Sequence, residues 1–484
     1  MKPPAFPVTL ASPASGALSR RGFLSWVQGG LGAAATMALL GRDGLRAATA
    51  PPFRPKARRI IHICLCGGLS HVDSFDWKPE LKRLHGRSIP SDRERPDPFF
   101  GQIGLLRAPD WEFRQHGQSG LWISGLFPHL AQEADRLTVI RSMTADSSNH
   151  TPATFQENSG FRFNGFPTFG AWTSYALGSE NENLPAYVVL PDARGLPAGT
   201  TANWTNGFLP ARHQGVALQP HGAPVRNLLP ARDVPSPTDA ATRSFVAKLN
   251  ERHFQATGGH DDLLEARLRS YELAARMQLA VPEATSIDGE SEKTREAYGM
   301  NRDETRDFGR NCLLARRLIE RGVRFVQLFS GGAFGSPRIN WDGHEDVKAN
   351  HGQEAARIDL PVAALLRDLS QRGLLDDTVV LFTSEFGRTP YTQSGSDKVG
   401  TGRDHHPSGF SLWLAGAGLK PGMAHGATDD LGLKAVDNVA TWPDFHATVL
   451  HLAGIDHRDL TFYNNGINRR LTNVSGEVIS DILA

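Results

Sequence analysis

The apolar run at residues 378–383 limits the possible folds more than any other feature. It reads TVVLFT and lacks the polar alternation of a strand that has one face in water. Such a run is typical of a strand buried on both faces of a parallel sheet. Ser384 and Glu385 follow it, and a carboxylate at this point lies at the carboxyl edge of the sheet, where open α/β sheets bind their ligands.

Similar apolar runs recur along the chain and alternate with segments of helical periodicity. Further strands are predicted at residues 60–66, 136–143, 184–190 and 323–329, and helices at 261–280, 310–321, 359–372 and 444–455. This order predicts an α/β fold with a largely parallel central sheet and helices on both faces. No linker is evident, so residues 51–484 are predicted to form a single domain. The Gly- and Pro-rich stretch 192–234 is interpreted as surface loops, which either cover the site as a lid or decorate the edge.

The overall charge and the cysteine content exclude two classes of protein. The formal net charge is +1, and no basic stripe is interleaved with aromatic residues, which argues against nucleic-acid binding. Three cysteines cannot build a disulfide framework. Cys64 and Cys66 lie two apart on a predicted strand, where they could not bridge without distortion, so we interpret them as buried free thiols.

Residues 1–50 differ in composition from the rest of the chain. The pair Arg20 and Arg21 precedes an apolar stretch, rich in alanine and glycine, that is too short and too weakly hydrophobic for a membrane span. Small residues suited to cleavage follow at 47–50. This layout resembles a twin-arginine export signal, which predicts a periplasmic or extracellular protein and a mature chain without a membrane span.

Polar side chains that could do chemistry follow several of the predicted strands. Aspartate, glutamate and histidine from different loops at one sheet edge are ligands that divalent metals take. The candidates are Ser70, His71, Asp73, Asp76, His150, Thr151, Asp342, His344, His351, Glu385, Arg388, Arg403, Asp404, His405 and His406. Each has a structural alternative, such as a helix cap for Asp73 or Asp76 and a solvated loop for residues 404–406. Their coincidence at several strand ends favours a metal site. His62, within a predicted strand, is instead interpreted as a hydrogen-bonded core histidine.

Seven segments together carry a resemblance to a known family. They are GGLSHVDSFD, NHTPATFQENSG, CLLARRLIERGVRFVQL, WDGH, RGLLDDTVVLFTSEFGRTP, GRDHHPSGFSLWLAG and DFHATVLHLAGIDH. On these motifs the chain is identified as a member of the DUF1501 family, whose exported proteins are related to alkaline phosphatases and sulfatases. The resemblance runs from about Arg58 to the C-terminus and implies an alkaline-phosphatase-like three-layer sandwich.

The resemblance also implies a set of metal ligands. WDGH resembles the Asp and His pair of phosphodiesterase-like relatives, which implicates Asp342 and His344. Glu385 takes the place of a metal-binding aspartate, whereas Phe386 replaces the histidine that follows that aspartate. The remaining implied ligands are His405 or His406, from RDHH, and Asp73, with His71 as the second choice. One or two divalent ions are expected, and zinc, calcium and manganese are the candidates.

The segment HTPATFQENSG departs from the sulfatase pattern at the nucleophile. His150 stands at the cysteine position, which argues against a formylglycine sulfatase. Thr151 would serve as a phosphatase-type nucleophile if a metal lowers the pKa of its hydroxyl. His150 is interpreted as either a ligand or an acid/base group, and Arg388 as a residue that steadies Glu385 or binds an anionic substrate. Pro390 is expected to end the regular structure.

These interpretations predict an exported, metal-dependent hydrolase. Its substrate is expected to be an anionic ester, such as a phosphorylated or sulfated glycan, and phosphate esters are favoured over sulfate esters. The alternative is a non-catalytic protein that uses the same scaffold to recognise an anionic glycan or a protein partner. The retained Asp, Glu and His clusters favour the enzyme, while the missing nucleophile motif favours the binding protein.

Overall fold

The computed structural model of the chain describes most of the residues that follow the predicted export signal. These are residues 53–93, 98–99, 102–221, 224–225, 236–256, 262–332, 334, 338–395 and 398–484. The signal at residues 1–50 lies outside the described residues, so its assignment stays a prediction. Within the described ranges, we find no helix whose length and apolar character would carry it across a membrane.

The β-strands are numbered in chain order. They are β1 (Arg59–Leu65), β2 (Phe113–His116), β3 (Leu121–Ser124), β4 (Leu137–Thr144), β5 (Tyr187–Leu190), β6 (Val216–Ala217), β7 (Phe325–Ser330), β8 (Thr378–Ser384), β9 (Gly387–Thr392), β10 (Arg403–His406), β11 (Phe410–Gly416), β12 (Met423–His425), β13 (Ala427–Thr428), β14 (Ala435–Asp437), β15 (Ala440–Thr441), β16 (Phe462–Asn464) and β17 (Ile467–Arg469). Every residue of β8 is buried, as the apolar run at its position predicts.

The α-helices are numbered in the same way. They are α1 (Pro79–Arg83), α2 (His150–Ser159), α3 (Phe169–Leu177), α4 (Ser236–Ala256), α5 (Asp262–Thr285), α6 (Glu292–Ala297), α7 (Arg306–Glu320), α8 (Val347–Gln371) and α9 (Trp442–Leu452). Short 3₁₀ turns occur at His71–Asp73, Leu130–Arg136, Thr200–Trp204, Ala211–His213 and Ser480–Ile482. The four predicted helices correspond to α5, α7, α8 and α9. The stretch predicted as surface loops contains β6 and two of the 3₁₀ turns in its described part.

The nine-stranded central sheet is mixed but largely parallel. Its order is β12–β4–β11–β8–β1–β7–β5–β6, with β15 beside β4. β1 runs parallel to β7 and β8, and β5 runs parallel to β6 and β7. β11 runs antiparallel to both of its neighbours, β4 and β8. The predicted α/β fold with a largely parallel sheet is therefore confirmed.

Helices cover both faces of this sheet. Side chains alternate along β1, so that Ile61 and Ile63 join one apolar cluster while Ile60 and Cys64 join the other. The first cluster includes residues of α7 and α8, and the second includes residues of α3 and α9. The sheet is thus the middle of three layers, and the carboxyl ends of the neighbouring strands β7, β1 and β8 meet at one edge.

The chain continues as regular structure beyond Glu385, so the prediction that Pro390 ends it is wrong. Pro390 lies within β9, which pairs with β10 in an antiparallel ribbon outside the central sheet. A two-stranded ribbon tolerates proline because each strand has an edge where no N–H donor is needed. The carbonyl of Pro390 accepts a hydrogen bond from the N–H of Arg107, at 3.0 Å.

Candidate metal centre

Four side chains from separate elements converge at the carboxyl edge of the sheet. His150 is the first residue of α2, Asp342 and His344 lie between β7 and α8, and His405 lies in β10. One donor atom of each side chain lies within 4.8 Å of the donor atoms of the other three. The sequence predicts metal ligation for three of these residues and leaves His150 open between ligand and acid/base group.

The donor atoms of the three histidines meet at one carboxylate oxygen. Asp342 Oδ1 lies 2.9 Å from His344 Nε2 and 3.3 Å from both His150 Nε2 and His405 Nε2. The Nε2 atoms of His344 and His405 are themselves 2.8 Å apart. Such a convergence of nitrogen and oxygen donors is the arrangement of a four-ligand divalent-metal site.

The partners of the three imidazoles determine which ring nitrogen carries the proton. His150 Nδ1 donates to Glu385 Oε1 at 2.9 Å, His344 Nδ1 donates to Gln393 Oε1 at 2.5 Å, and His405 Nδ1 donates to the carbonyl of Ser148 at 2.5 Å. Each acceptor is an oxygen, so the proton of each neutral ring lies on Nδ1 and the lone pair on Nε2. Partners of this kind fix the ring orientation of metal-binding histidines.

The chemistry of this donor set fits a divalent cation. His150 Nε2 is buried and, although it lies 3.3 Å from Asp342 Oδ1, makes no well-aligned hydrogen bond among the described residues. The lone pairs of His344 Nε2 and His405 Nε2 face each other at 2.8 Å, where they repel. A cation bound by both nitrogens would remove this repulsion. Three imidazole nitrogens and one carboxylate favour zinc or manganese over calcium, which prefers oxygen ligands.

Burial and charge act differently on two of these histidines. Burial, followed by the nearby Arg388 guanidinium, lowers the pKa of His405 to about 2, so its ring is neutral. Burial by itself also lowers the pKa of His150, but the carboxylates of Asp342 and Glu385 outweigh it and the pKa rises above its usual value. The Nε2 of His150 therefore attracts a positive charge, whether a proton or a metal ion.

Arg388 is a positioning residue. One of its two predicted roles, binding an anionic substrate, would require an accessible side chain, and Arg388 has none. Its side chain is fully buried. Its guanidinium donates to Asp342 Oδ1 at 2.7 Å and to the carbonyls of Gly67, Gly68 and Arg403. Burial by itself raises the pKa of Asp342, but Arg388 and the three histidines hold it well below its usual range. Arg388 thus keeps Asp342 ionised and oriented.

Glu385 lies behind His150, on the side away from Asp342. Its fully buried carboxylate accepts hydrogen bonds from His150 Nδ1 and, at 2.8 Å, from the N–H of Gly67. Gly67 has φ of +122°, and a Cβ on it would lie 2.5 Å from the backbone nitrogen of Asp342, so only glycine fits this turn. The predicted metal ligand Glu385 is in this geometry the acceptor that orients a ligand.

Replacing Glu385 with glutamine is expected to lower metal affinity by about 10- to 100-fold, the usual effect of losing such a partner. Glutamine keeps the shape of the side chain but removes the charge that draws the proton on His150 Nδ1. Isothermal titration with Zn²⁺ measures the effect. The control is Glu112→Gln, an exposed carboxylate paired with Arg114, which should leave the affinity unchanged. Equal losses in both variants would contradict this role.

Two predicted ligands lie elsewhere, which corrects the sequence interpretation. Asp73 is fully buried and forms an ion pair with Arg403, at 2.7 Å between Oδ2 and Nε. His406 follows His405 in β10 and points to the other side, where its ring stacks on His71 with centroids 5.8 Å apart. His71 in turn hydrogen-bonds the carbonyl of Gly432 at 3.0 Å. These side chains hold the structure under the centre rather than join it.

The remaining polar groups at the centre are Thr151 and Arg338. Thr151 is half-buried and follows His150 in the first turn of α2. Arg338 was missed from the sequence; its 27% exposed side chain binds Asp342 Oδ2 and Glu345. A cavity of about 420 Å³ adjoins the centre, and its lining residues are Gln102, His344, Glu345, Gln393, Ser394 and Gly395.

Comparison with protein families and solved structures gives the following matches. The model of a family described as "Protein of unknown function (DUF1501)" matches residues 57–483. A sequence search of curated proteins found no match.

Solved structures similar to this chain include the following three. The lipoteichoic acid synthase LtaP from Listeria monocytogenes is 11% identical, with 91% of this chain and 81% of that chain covered and a TM-score of 0.37. The PsFucS1 sulfatase from Pseudoalteromonas sp. is 12% identical, with 93% of this chain and 76% of that chain covered and a TM-score of 0.35. The alkaline phosphatase from the Antarctic bacterium TAB5 is 10% identical, with 75% of this chain and 92% of that chain covered and a TM-score of 0.29. With TM-scores below 0.5, these likenesses add no argument about activity.

Proposed function

Because this chain belongs to the DUF1501 family and carries a four-residue donor cluster at the carboxyl edge of its sheet, we propose that it is a metal-dependent hydrolase of phosphate esters, with sulfate esters as the second substrate class. His150, Asp342, His344 and His405 hold one divalent ion, zinc or manganese. The observation that carries the proposal is that each of the three histidines donates Nδ1–H to an oxygen and presents Nε2 toward Asp342.

Each residue at the centre has a part in the proposed reaction. A divalent metal bound there supplies Lewis-acid polarisation of the ester and lowers the pKa of a hydroxyl or water. Thr151, next to His150, is the proposed nucleophile. α2 begins at His150, and the side chain of Asn149 does not cap it, so the N–H groups of its first turn favour an anionic ester at the same point. Arg338 offers a partly exposed cation beside Asp342.

The cavity beside His344 could receive a hydroxylated leaving group. Its lining residues include glutamine, serine and glutamate, whose amide, hydroxyl and carboxylate groups can hydrogen-bond a sugar or another polyol. A phosphorylated glycan is therefore the favoured substrate. The site of action is proposed to lie outside the cytoplasm, on the strength of the twin-arginine motif at residues 20–21 alone.

Hydrolysis of p-nitrophenyl phosphate and p-nitrophenyl sulfate, before and after chelation, tests the proposal. Chelation is expected to lower the activity at least about 100-fold, and stoichiometric Zn²⁺ or Mn²⁺ should restore it. Thr151→Val, which removes the hydroxyl and keeps the shape, should lose activity, whereas Thr151→Ser should retain it. Bound metal without hydrolysis of either ester class would favour the binding protein instead. Activity that survives chelation would contradict the proposal.

A further inference from the structure

A second cluster of metal-binding side chains lies inside the protein, between the sheet and α2. His62 and Cys64 are two apart on β1 and so share one face of the sheet. Glu157 faces them from α2, and Thr383 of β8 is the register neighbour of Cys64. One donor atom each from His62, Cys64 and Glu157 lies within 4.8 Å of the other two, and all three residues are buried.

The spacing of these donor atoms matches tetrahedral coordination. His62 Nε2 lies 3.3 Å from Cys64 Sγ and 3.9 Å from Glu157 Oε1. Zinc bonds of 2.0–2.3 Å that meet at the tetrahedral angle place their ligand atoms about 3.3–3.6 Å apart. The hydroxyl of Thr383, 2.8 Å from His62 Nε2 and in contact with Glu157, stands at the fourth position. The distances from His62 to Cys64 and Glu157 thus lie close to these values, whereas the Thr383 hydroxyl would have to move away from His62 and Glu157 to take the fourth position.

The charges of the cluster also fit a divalent cation. Glu157 is 1% exposed, and among the described residues no lysine or arginine forms an ion pair with it. Because an isolated buried carboxylate is costly, burial raises the pKa of Glu157 well above its usual value, and the group loses its proton only if a cation replaces it. The negative charges of the Cys64 thiolate and the Glu157 carboxylate would together balance one divalent ion, so that the interior stays neutral as a whole.

The groups around Cys64 support a coordinated sulfur. Gln327 Nε2 donates to Cys64 Sγ at 3.3 Å, and the same nitrogen donates to Asn158 Oδ1 at 2.5 Å. The hydroxyl of Tyr187 donates to Gln327 Oε1 and fixes the orientation of the amide. Hydrogen bonds of this kind hold metal ligands in place.

We propose that His62, Cys64 and Glu157, with Thr383 at the fourth position, bind a structural zinc ion that fastens α2 to the sheet. Glu157 follows His150 by seven residues, so the two lie on one face of α2 and about 10 Å apart along its axis. The internal site is therefore separate from the centre at the sheet edge. By anchoring α2 it would hold His150 in position, and it does not depend on the proposed hydrolase activity.

The test is the absorption spectrum of the full chain produced in cobalt-supplemented, zinc-depleted medium. A thiolate bound to Co²⁺ gives a near-ultraviolet charge-transfer band, and the centre at the sheet edge contains no cysteine, so the band reports on the internal site alone. We expect a band that is lost in Cys64→Ser and kept in His405→Gln. Elemental analysis should show one metal equivalent fewer in Cys64→Ser than in the unchanged chain, whether or not the centre at the sheet edge is loaded.

The assignment stays testable if Cys64→Ser does not fold. The double variant Cys66→Ser/Cys312→Ser leaves Cys64 as the sole thiol, and a band of undiminished intensity in it assigns the ligand to Cys64. A cobalt-loaded full chain without the band would overturn the proposal, as would a band that survives Cys64→Ser or disappears in the double variant.

Discussion

Replacing His405 with glutamine is expected to lower metal affinity by more than about 100-fold and ester hydrolysis by about 1,000-fold. The loss should exceed the 10- to 100-fold effect expected for Glu385, which only orients a metal ligand, because His405 contributes a donor atom itself. Its Nε2 lies 3.3 Å from Asp342 and 2.8 Å from His344 Nε2. Glutamine fills a similar volume and leaves β10 intact, so a change in metal binding reports on the lost nitrogen. Elemental analysis and steady-state kinetics measure the two effects.

His406→Gln is the matched control for this prediction. His406 is the next residue of the same strand, equally buried, but its ring stacks on His71. The control should keep its metal and its activity, with at most a change in stability. If both variants keep their metal, or if both lose it, metal binding does not depend specifically on His405, and the assignment of the ligands is contradicted.

Replacing Asp73 with asparagine is expected to lower the free energy of unfolding by about 3–5 kcal/mol, the usual effect of breaking a buried ion pair by removing one partner. Asp73 and Arg403 are both fully buried. The carboxylate also accepts hydrogen bonds from Ser70 Oγ at 2.5 Å and from the N–H of Asp110 at 3.0 Å. Asparagine leaves the Arg403 charge without a counterion. Denaturant titration measures the loss, which is a large share of a typical stability of about 5–15 kcal/mol.

The same ion pair predicts a pH dependence. Burial by itself raises the pKa of Asp73, but Arg403 and the hydrogen bonds lower it below its usual value. A carboxyl whose pKa is lower in the folded state stabilises the protein above its unfolded pKa of about 3.9, and this stabilisation is lost as the pH falls through the folded-state pKa. The stability difference between the unchanged chain and Asp73→Asn should therefore shrink below about pH 4. The exposed pair of Glu80 and Arg83 provides a control, because Glu80→Gln should change little. A constant difference across this pH range would contradict the ion pair.

The sheet could be predicted because its strands are marked by local composition. The unbroken apolar run of β8 requires burial on both faces, and its end locates Glu385 at the ligand-binding edge. The alternation of strands with helices then predicts parallel neighbours. The sequence did not indicate the ribbon of β9 and β10, because Pro390 suggests an end of regular structure unless the strand has a free edge.

The ligand set could be predicted only in part because it depends on which way side chains point and on distant partners. His405 and His406 are adjacent, and the pairing of His405 with Arg388 and of His406 with Gly387 decides which ring faces Asp342. The partner of Asp73 is Arg403, 330 residues away in the chain. No local pattern predicts such a pair.

The roles of Arg388 and Glu385 depend on burial and geometry that a motif does not show. Arg388 follows Glu385 in a turn-like sequence, where an exposed arginine would suit an anionic substrate, but its guanidinium is enclosed by backbone carbonyls and Asp342. Glu385 stands at a strand end as a ligand would, yet His150 lies between it and Asp342. Telling a ligand from the residue that orients it requires the geometry.

The most direct test of the metal centre is a crystal structure of the full chain with data collected on both sides of the zinc and manganese absorption edges. We expect an anomalous peak about 2.0–2.2 Å from the Nε2 atoms of His150, His344 and His405 and from the carboxylate of Asp342. A peak at Glu385 or Asp73, or no peak at this edge of the sheet in metal-saturated crystals, would contradict it.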